Sequence, residues 1–260
     1  MTRLSYETKM LEDRARFVRM AGLKKGSRVL DAGTGHGLLA KCIAQEVGKN
    51  GLIVAVDISS NHVKQANTLF KKERLSDFVH VIKADLRWVP ISSNTLDVVL
   101  SYNFFCSINV PSDMPKVLSD AKRILRKNGR IIAVDYVSKS KSEHENLYFR
   151  RFDVYKKVYM YIGNSLHLTF FTGKEIKSLL ETLGFVVKIK IIKRDIWMPK
   201  RALKKEVRDL VQKIRQKAID KKVTSRLIDE LRELYKKTEK QGIKVPAALF
   251  MIAELVNDVD

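Results

Sequence analysis

The stretch Val29-Leu30-Asp31-Ala32-Gly33-Thr34-Gly35-His36-Gly37-Leu38-Leu39-Ala40 decides the fold of this 260-residue chain. It has the order of a short apolar strand, an acidic residue, a turn with glycine at alternate positions, and the start of a helix. Glycine lets the backbone turn tightly and approach a ligand closely, because it has no Cβ. The helix that follows directs its free amide groups and the positive end of its dipole to the same place. The stretch therefore predicts a nucleotide-like ligand at the carboxyl end of a parallel strand.

The residues around the glycines narrow the kind of nucleotide. A P-loop needs a Lys-Ser or Lys-Thr pair after its last glycine, and Leu38-Leu39 stand there instead. A dinucleotide fingerprint needs its third glycine one place later, and Asp31 would face the negative pyrophosphate. The implied ligand is nucleoside-like and carries an amine or a cation in place of phosphates. S-adenosylmethionine fits that description.

Asp31 and the three glycines, preceded by Arg28-Val29-Leu30, resemble motif I of the class I S-adenosylmethionine-dependent methyltransferases. The turn at 125–130 resembles the family's Leu-x-x-Gly-Gly turn, with Asn128 in place of the first glycine. The pattern of strands and turns is most similar to the methyltransferase domain 11 branch, which includes enzymes that methylate ubiquinone, menaquinone and small molecules. The resemblance implies an α/β, Rossmann-like, seven-stranded and mostly parallel sheet with helices on both faces, ending in an antiparallel strand.

The resemblance also implies a set of cofactor contacts at four strand ends. Asp57, which ends the predicted strand 52–57, would hold the ribose hydroxyls, since one carboxylate accepts two hydrogen bonds. Asp85 would accept the adenine amino hydrogens, and Ile58 would pack on the adenine ring. The alternatives are a helix cap for Asp57, where Ser59, Ser60 and Asn61 offer competing caps, and a turn aspartate for Asp85. The predicted cofactor residues are Asp31, Gly33, Thr34, Gly35, His36, Gly37, Asp57, Ile58, Asp85, Leu86 and Ser101.

The reaction implied is in-line transfer of a methyl group, leaving S-adenosylhomocysteine. Alignment and desolvation would supply most of the acceleration, and a base is needed only for an acceptor that arrives protonated. His167, Asp135 and Tyr136 are the candidate groups for the proton, and Asn103 is a candidate for orienting the acceptor. Plain packing is the alternative for each of them.

Two segments are additions to the fold that the resemblance implies, and they set the predicted domain boundaries. Residues 1–198 form the core with a lid-like segment at 138–172, residues 199–243 an inserted basic helical hairpin, and residues 244–260 the final antiparallel strand. Within the lid-like segment, Tyr148, Phe152, Tyr155, Tyr159 and Ile162 share one helical face. That face is either packed core or a cover over the acceptor.

The acceptor is not specified by these motifs. A small or lipid-like molecule under the aromatic segment 148–162 is the first hypothesis, and RNA (tRNA or rRNA) bound through residues 200–222 is the second. A non-catalytic binding module is the third. The net charge of +21 fits an anionic partner, and a Lys-rich solvated surface is the alternative. The absence of an Asn-Pro-Pro-Tyr signature argues against methylation of exocyclic base amines.

Composition sets the remaining expectations. No apolar run approaches the length of about 20 residues that spans a bilayer, and the first residues lack the features of a signal peptide. The two cysteines, Cys42 and Cys106, lie outside any metal-ligand or disulfide pattern. These features predict a cytoplasmic protein without a metal site, and they leave its oligomeric state open.

Overall fold

The computed structural model describes residues 3–108, 110–137, 140, 142–163, 169–217 and 219–255. Within them, seven strands form one sheet in the order β3-β2-β1-β4-β5-β7-β6. The strands are β1 (Arg28–Ala32), β2 (Leu52–Asp57), β3 (Val79–Lys83), β4 (Leu96–Tyr102), β5 (Leu125–Tyr136), β6 (Phe185–Ile192) and β7 (Ala248–Leu255). The helices are α1 (Arg3–Ala21), α2 (Leu38–Val47), α3 (Ser60–Lys72), α4 (Met114–Ile124), α5 (Glu143–Tyr161), α6 (Gly173–Thr182), α7 (Lys200–Lys217) and α8 (Lys221–Gln241).

The first five strands pair in parallel, and β7 pairs antiparallel with both β5 and β6. The strands alternate their side chains between two apolar layers, as buried strands of a covered sheet do. Val29, Ile53 and Leu100 join the layer with α2 and α3, whereas Leu30 and Val99 join the layer with α4 and α6. The predicted Rossmann-like, mostly parallel seven-stranded sheet with a late antiparallel strand is confirmed.

The residues from Pro111 to Lys127, followed by the C-cap signal Asn128-Gly129, predict a helix that is longer than the observed one. A 3-10 turn occupies Pro111–Asp113, and α4 ends at Ile124. Leu125 is buried and pairs with Leu96 on β4, so the sheet takes the residues that helical propensity would have kept in the helix. Asn128, four residues beyond the observed end of the helix, adopts φ 62° within β5.

The contacts within the chain divide it into two compact units. The sheet unit comprises Leu11–Val137, Thr169–Ile192 and Ala248–Asp260, and the helical unit comprises Met1–Met10, Ser138–Leu168 and Lys193–Ala247. This grouping separates part of the segment 138–172 from the sheet; the predicted domain boundaries and the lid remain predictions. None of the helices in the described ranges is both long and apolar enough to cross a bilayer.

The helical unit has its own apolar core, formed by α5, α7 and α8. From α5 and the residue that caps its C-terminus, Val154, Tyr155, Val158 and Ile162 contribute to it. The hairpin contributes two apolar stripes: Leu203, Val207, Leu210 and Ile214 from α7, and Leu227, Ile228, Leu231 and Leu234 from α8. The aromatic face of α5 is therefore used, at least in part, for packing between helices.

Candidate cofactor and active site

A cleft of about 440 Å³ opens at the carboxyl ends of β1 to β4, within the sheet unit. This volume lies in the usual range for a site that binds a small molecule or a cofactor. Its lining contains seven of the residues predicted from sequence, namely Gly33, Gly35, Asp57, Ile58, Asp85, Leu86 and Asn103. Its other lining residues are Ser59, His62, Ala84, Arg87, Phe104, Ser107, Ile108, Asp113 and Val117.

The glycine turn forms one wall of this cleft. Gly35 has φ 53°, and a Cβ built on it would meet no atom within 4 Å, so its backbone is open to a ligand. Its N–H donates to Asp57 Oδ2 at 2.9 Å, which ties the turn to the end of β2. Gly37 is not among the lining residues of the cleft. A Cβ built on it would come within 2.8 Å of the Phe70 ring on α3. The structure thus gives Gly37 a packing reason, and its cofactor role remains a prediction.

Asp31 lies behind the turn, almost completely buried. Its Oδ2 accepts a hydrogen bond from the Thr34 hydroxyl at 2.6 Å, whereas its Oδ1 is buried and has no hydrogen-bond partner. Burial raises the pKa of Asp31 to about 6, although the Thr34 hydroxyl, the nearby backbone N–H of Ala40 and the positive charge of Arg14 oppose the shift. A buried carboxylate oxygen without a donor is costly, and a cationic amine would satisfy it. Asp31 is not among the lining residues of the cleft, so its fit to an amino-acid-bearing nucleoside rests on this open oxygen behind the glycine turn.

Asp57 is held by the backbone on both of its oxygens. Oδ2 accepts from Gly35, and Oδ1 accepts from the Ser59 N–H at 2.9 Å. His62 Nδ1 lies 3.3 Å from the same Oδ1. Each carboxylate oxygen offers two lone pairs, so the group keeps capacity for a ribose hydroxyl. Ser59 caps α3 with its side chain, so the cap alternative for Asp57 is not needed.

Two histidines flank this corner of the cleft. The His36 and His62 rings meet edge to face with their centroids 5.1 Å apart. Burial lowers the pKa of His36, and the neighbouring His62 and the positive charge of Arg14 lower it further. His36 is therefore biased toward its neutral form, which suits a place beside a cationic ligand.

Asp85 is engaged by a residue that the sequence analysis did not single out. Arg87 Nη2 donates to Asp85 Oδ2 at 2.6 Å and its Nε lies 3.1 and 3.0 Å from the two oxygens, while its Nη1 donates to Asp113 at 2.9 Å. The hydrogen bonds from Arg87 hold the pKa of Asp85 below its usual range. The signal for this pair in the sequence was the position of Arg87 two residues after Asp85, just beyond the end of β3. Asp85 stays a predicted adenine ligand whose oxygens already have a cationic partner.

Ser101 and Phe104 lie at the end of β4. The Ser101 hydroxyl is buried without a partner and lines an inner apolar cavity of about 20 Å³, together with Leu86 and Phe104. A Cβ on Gly33 would overlap the Phe104 ring, so only glycine allows the aromatic ring to lie on the turn. The contact of Ser101 with the cofactor remains a prediction.

The predicted catalytic residues fall in different surroundings. Asn103 lines the cleft with φ 54°, and its Oδ1 is buried without a partner. Asp135 accepts from the Cys106 N–H at 3.0 Å and from the Tyr136 N–H at 2.8 Å, which holds the turn at 105–107 in place. Tyr136 is buried and its ring meets Phe170 edge to face. His167 lies outside the described residues. The catalytic roles of all four remain predictions.

Comparison with known proteins places this geometry in context. Residues 23–184 match the family described as a methyltransferase domain. A ubiquinone/menaquinone biosynthesis C-methyltransferase of Haemophilus ducreyi is 25% identical over 177 residues, which are 64% of this chain and 66% of that protein. A human tRNA N(3)-cytidine methyltransferase is 27% identical over 160 residues, which are 60% of this chain and 41% of that protein. The matches span less than two thirds of the length of either relative.

Solved structures share the fold at low sequence identity. A cyclopropane-fatty-acyl-phospholipid synthase-like protein from Lactobacillus casei superposes with a TM-score of 0.72, covering 97% of this chain and 92% of that chain at 14% identity. At this low sequence identity, the superposition shows that the two proteins share a fold.

Proposed function

Since the chain belongs to the class I S-adenosylmethionine-dependent methyltransferases, enzymes that use this cofactor as methyl donor, we propose that it methylates a small or lipid-like acceptor. The observation that carries the proposal is the amide of Asn103. Its Oδ1 is a buried acceptor without a donor, on the lining of the cleft and beside the apolar Phe104. A hydroxyl or amine on a mostly apolar molecule would satisfy it.

The backbone at Asn103 supports the same reading. A non-glycine residue with positive φ is uncommon, although asparagine adopts it more readily than most, and such positions are enriched at functional sites. The backbone N–H of Asn103 donates to Val134 O at 2.7 Å. The neighbouring strand β5 therefore fixes the backbone that carries the side-chain amide. We assign to Asn103 the orientation of the acceptor.

The cofactor residues divide the work of binding. Asp31 would hold the amino group, Asp57 the ribose, and Asp85 with Leu86 the adenine. When bound, the cofactor supplies an electrophilic methyl group on a sulfonium centre. The chain's contribution is to align the acceptor and to exclude water, which together account for much of the acceleration in such reactions. Asp135 already accepts from two backbone amides, so its geometry favours a positioning role over removal of a proton.

RNA is the second candidate acceptor, and the charge of α7 favours it. This helix carries eight basic residues against two acidic ones. Among the described residues, no ion-pair partner is found for the exposed Lys200, Lys204, Lys205 or Lys217. The human relative is a tRNA methyltransferase by name. RNA bound here would be released steeply by salt, because each phosphate contact frees counterions.

The test is transfer of a labelled methyl group from S-adenosylmethionine to panels of quinols, phenols, lipids and total tRNA. We expect label in an apolar hydroxyl-bearing compound, and a large loss of that transfer in Asn103→Gly with unchanged affinity for S-adenosylhomocysteine. Glycine tolerates the positive φ, so this variant removes the amide without adding strain. Asn67→Ala, at an exposed position on α3, is the matched control. Label in tRNA, or full transfer by Asn103→Gly, would contradict the proposal.

A further inference from the structure

The turn between α7 and α8 lies against the carboxyl end of α5, within the helical unit. The Tyr161 hydroxyl lies 2.7 Å from Thr224 Oγ1 and accepts from the Asp220 N–H at 3.1 Å. The same hydroxyl lies 3.2 Å from the Asp220 carbonyl oxygen. These bonds join the last turn of α5 to the first turn of α8, so residues on either side of them belong to one end of the unit.

This end exposes two large apolar side chains. Ile219, which precedes Asp220, is 77% exposed, and Met160, which precedes Tyr161, is 66% exposed. In contrast, Val158, Ile214, Leu227 and Leu231 are buried in the core of the same three helices. A single exposed apolar residue needs no explanation, but here two of them lie at the same end of the unit.

Basic side chains surround Ile219. Arg215, Lys217, Lys221 and Lys222 are all exposed within four residues of it, and the described part of the chain provides no ion pair for any of them. The acidic residue among them, Asp220, accepts from the Val223 N–H at 2.9 Å and caps α8. We call the set Met160, Arg215, Lys217, Ile219, Lys221 and Lys222 the hairpin tip.

The rest of α8 differs in its charges. Arg232 pairs with Asp229, and Lys237 pairs with Glu233 at 3.3 Å. Lys157 of α5 pairs with Glu230 at 2.7 Å. Along this helix the positive charges are largely balanced, whereas at the hairpin tip they are not. The excess is a local feature of the tip as well as a general property of the sequence.

We propose that the hairpin tip docks on an anionic lipid bilayer surface. Lysines near such a surface are each attracted by the negative potential of the lipid headgroups, and an apolar residue inserted among the headgroups adds a second source of affinity. The tip carries both. RNA would use the lysines but not Ile219 and Met160, because single-strand binding surfaces combine basic groups with aromatic rings that stack on bases. This proposal concerns where the protein resides and is independent of the identity of the acceptor.

The first experiment is cosedimentation of the full chain with vesicles of phosphatidylcholine and phosphatidylglycerol in equal parts, without cofactor. We expect binding that weakens with salt and is absent with pure phosphatidylcholine. Replacing Lys217, Lys221 and Lys222 by Gln should weaken binding by on the order of a hundredfold, about fivefold for each lysine. The matched control replaces Lys236, Lys237 and Lys240 by Gln, near the other end of α8 and about 22 Å along the helix.

The second experiment tests insertion directly. Cys42 and Cys106 are buried, so Ile219→Cys can be labelled selectively with an environment-sensitive fluorophore. We expect a blue shift of its emission on anionic vesicles, and about tenfold weaker vesicle binding for Ile219→Ser. The proposal is overturned if the label stays solvated on bound protein, if the control lysines matter as much as the tip lysines, or if total tRNA is retained through the tip while vesicles are not. Since cofactor binding is measured separately, its failure would leave this result unaffected.

Discussion

Asp31 on β1 and Asp135 on β5 are both buried carboxylates in the same sheet, with 1% and 4% of their surface exposed. Both oxygens of Asp135 accept hydrogen bonds from backbone amides. Asp31 has a partner for one oxygen and none for the other. The two groups meet the same cost of burial in opposite ways.

From this difference we propose that Asp135 holds the fold, whereas Asp31 is prepared for a ligand. Where the chain itself fills the lone pairs, the charge is stabilised before any ligand arrives. Where it does not, burial raises the pKa, as at Asp31, and a cationic ligand gains by supplying the missing partner. Substitutions at these two carboxylates and at their neighbours test that contrast.

Asp31→Asn should weaken binding of S-adenosylhomocysteine by at least a hundredfold, about 3 kcal/mol, because the buried ammonium loses its charged partner. Isothermal calorimetry at pH 7.5 measures this. Thr34→Val, which removes only the donor to Oδ2, is the graded control and should cost about tenfold. Affinity of Asp31→Asn within threefold of the parent would remove Asp31 from the ligand site.

Asp135→Ala should lower the free energy of unfolding by about 2–4 kcal/mol, since the amides of Cys106 and Tyr136 lose their acceptor. Urea denaturation measures the loss, and Asp135→Asn, which keeps one acceptor oxygen, should lose about half as much. A variant with normal stability and no turnover would instead make Asp135 catalytic.

Asp57→Ala should weaken cofactor binding by about 2 kcal/mol or more, because it removes both the ribose acceptor and the tie to the Gly35 amide. Comparison of S-adenosylhomocysteine with its 2′,3′-dideoxy analogue separates the two contributions. If the parent and Asp57→Ala discriminate equally between these ligands, the ribose assignment is wrong.

Cofactor affinity should fall about tenfold between pH 7 and pH 5, because Asp31 with its pKa near 6 becomes protonated in that range. The stability of the folded protein should change with pH in the opposite direction to cofactor affinity. A raised pKa in the folded state contributes stability that is full below the unfolded pKa and is lost as the pH rises through 6.

Asp31→Asn should therefore unfold at a higher temperature than the parent at pH 8 but not at pH 4, by calorimetry at both values. Its binding profile should lose the slope around pH 6. An unchanged slope in this variant would mean that Asp31 is not the group that titrates.

Arg87→Met should tighten binding of S-adenosylhomocysteine by about threefold, because the guanidinium no longer competes for Asp85; the effect is small for a partly exposed pair. Lys116→Met is the matched control, since Lys116 lies 3.8 Å from Asp113 and has no ion pair with Asp85. Weaker binding by Arg87→Met would mean that the guanidinium itself contacts the cofactor.

The sequence predicted the sheet closely where apolar runs are long and bounded by turn residues. The sequence predicts a strand at 52–57 and, from Leu38 to the residue before Gly48, a helix at 38–47; both bounds are those of the structure. Asp31 beside the glycines was expected to face a positive ligand atom, and its open oxygen supports that expectation. These features are local, so a single stretch of sequence carries them.

Features that depend on distant contacts were missed. The end of α4 is set by pairing with β4, and the state of Asp85 is set by a guanidinium shared with Asp113, a residue from another loop. The packing of Gly37 was also missed, because the Phe70 ring against it lies on the next helix, and its cofactor role stays a prediction. Similarly, the aromatic face of α5 and the stripes of the hairpin were found separately, and only the fold pairs them.

The position of β7 has a consequence for synthesis of the protein. It is the last of the seven strands to leave the ribosome, yet it lies between β5 and β6 in the sheet. Until residues 248–255 are available, β6 has no strand to pair with, and β5 presents an open edge. Open edges recruit other strands, so a nascent or truncated chain without this segment is expected to be a target for chaperones and proteases.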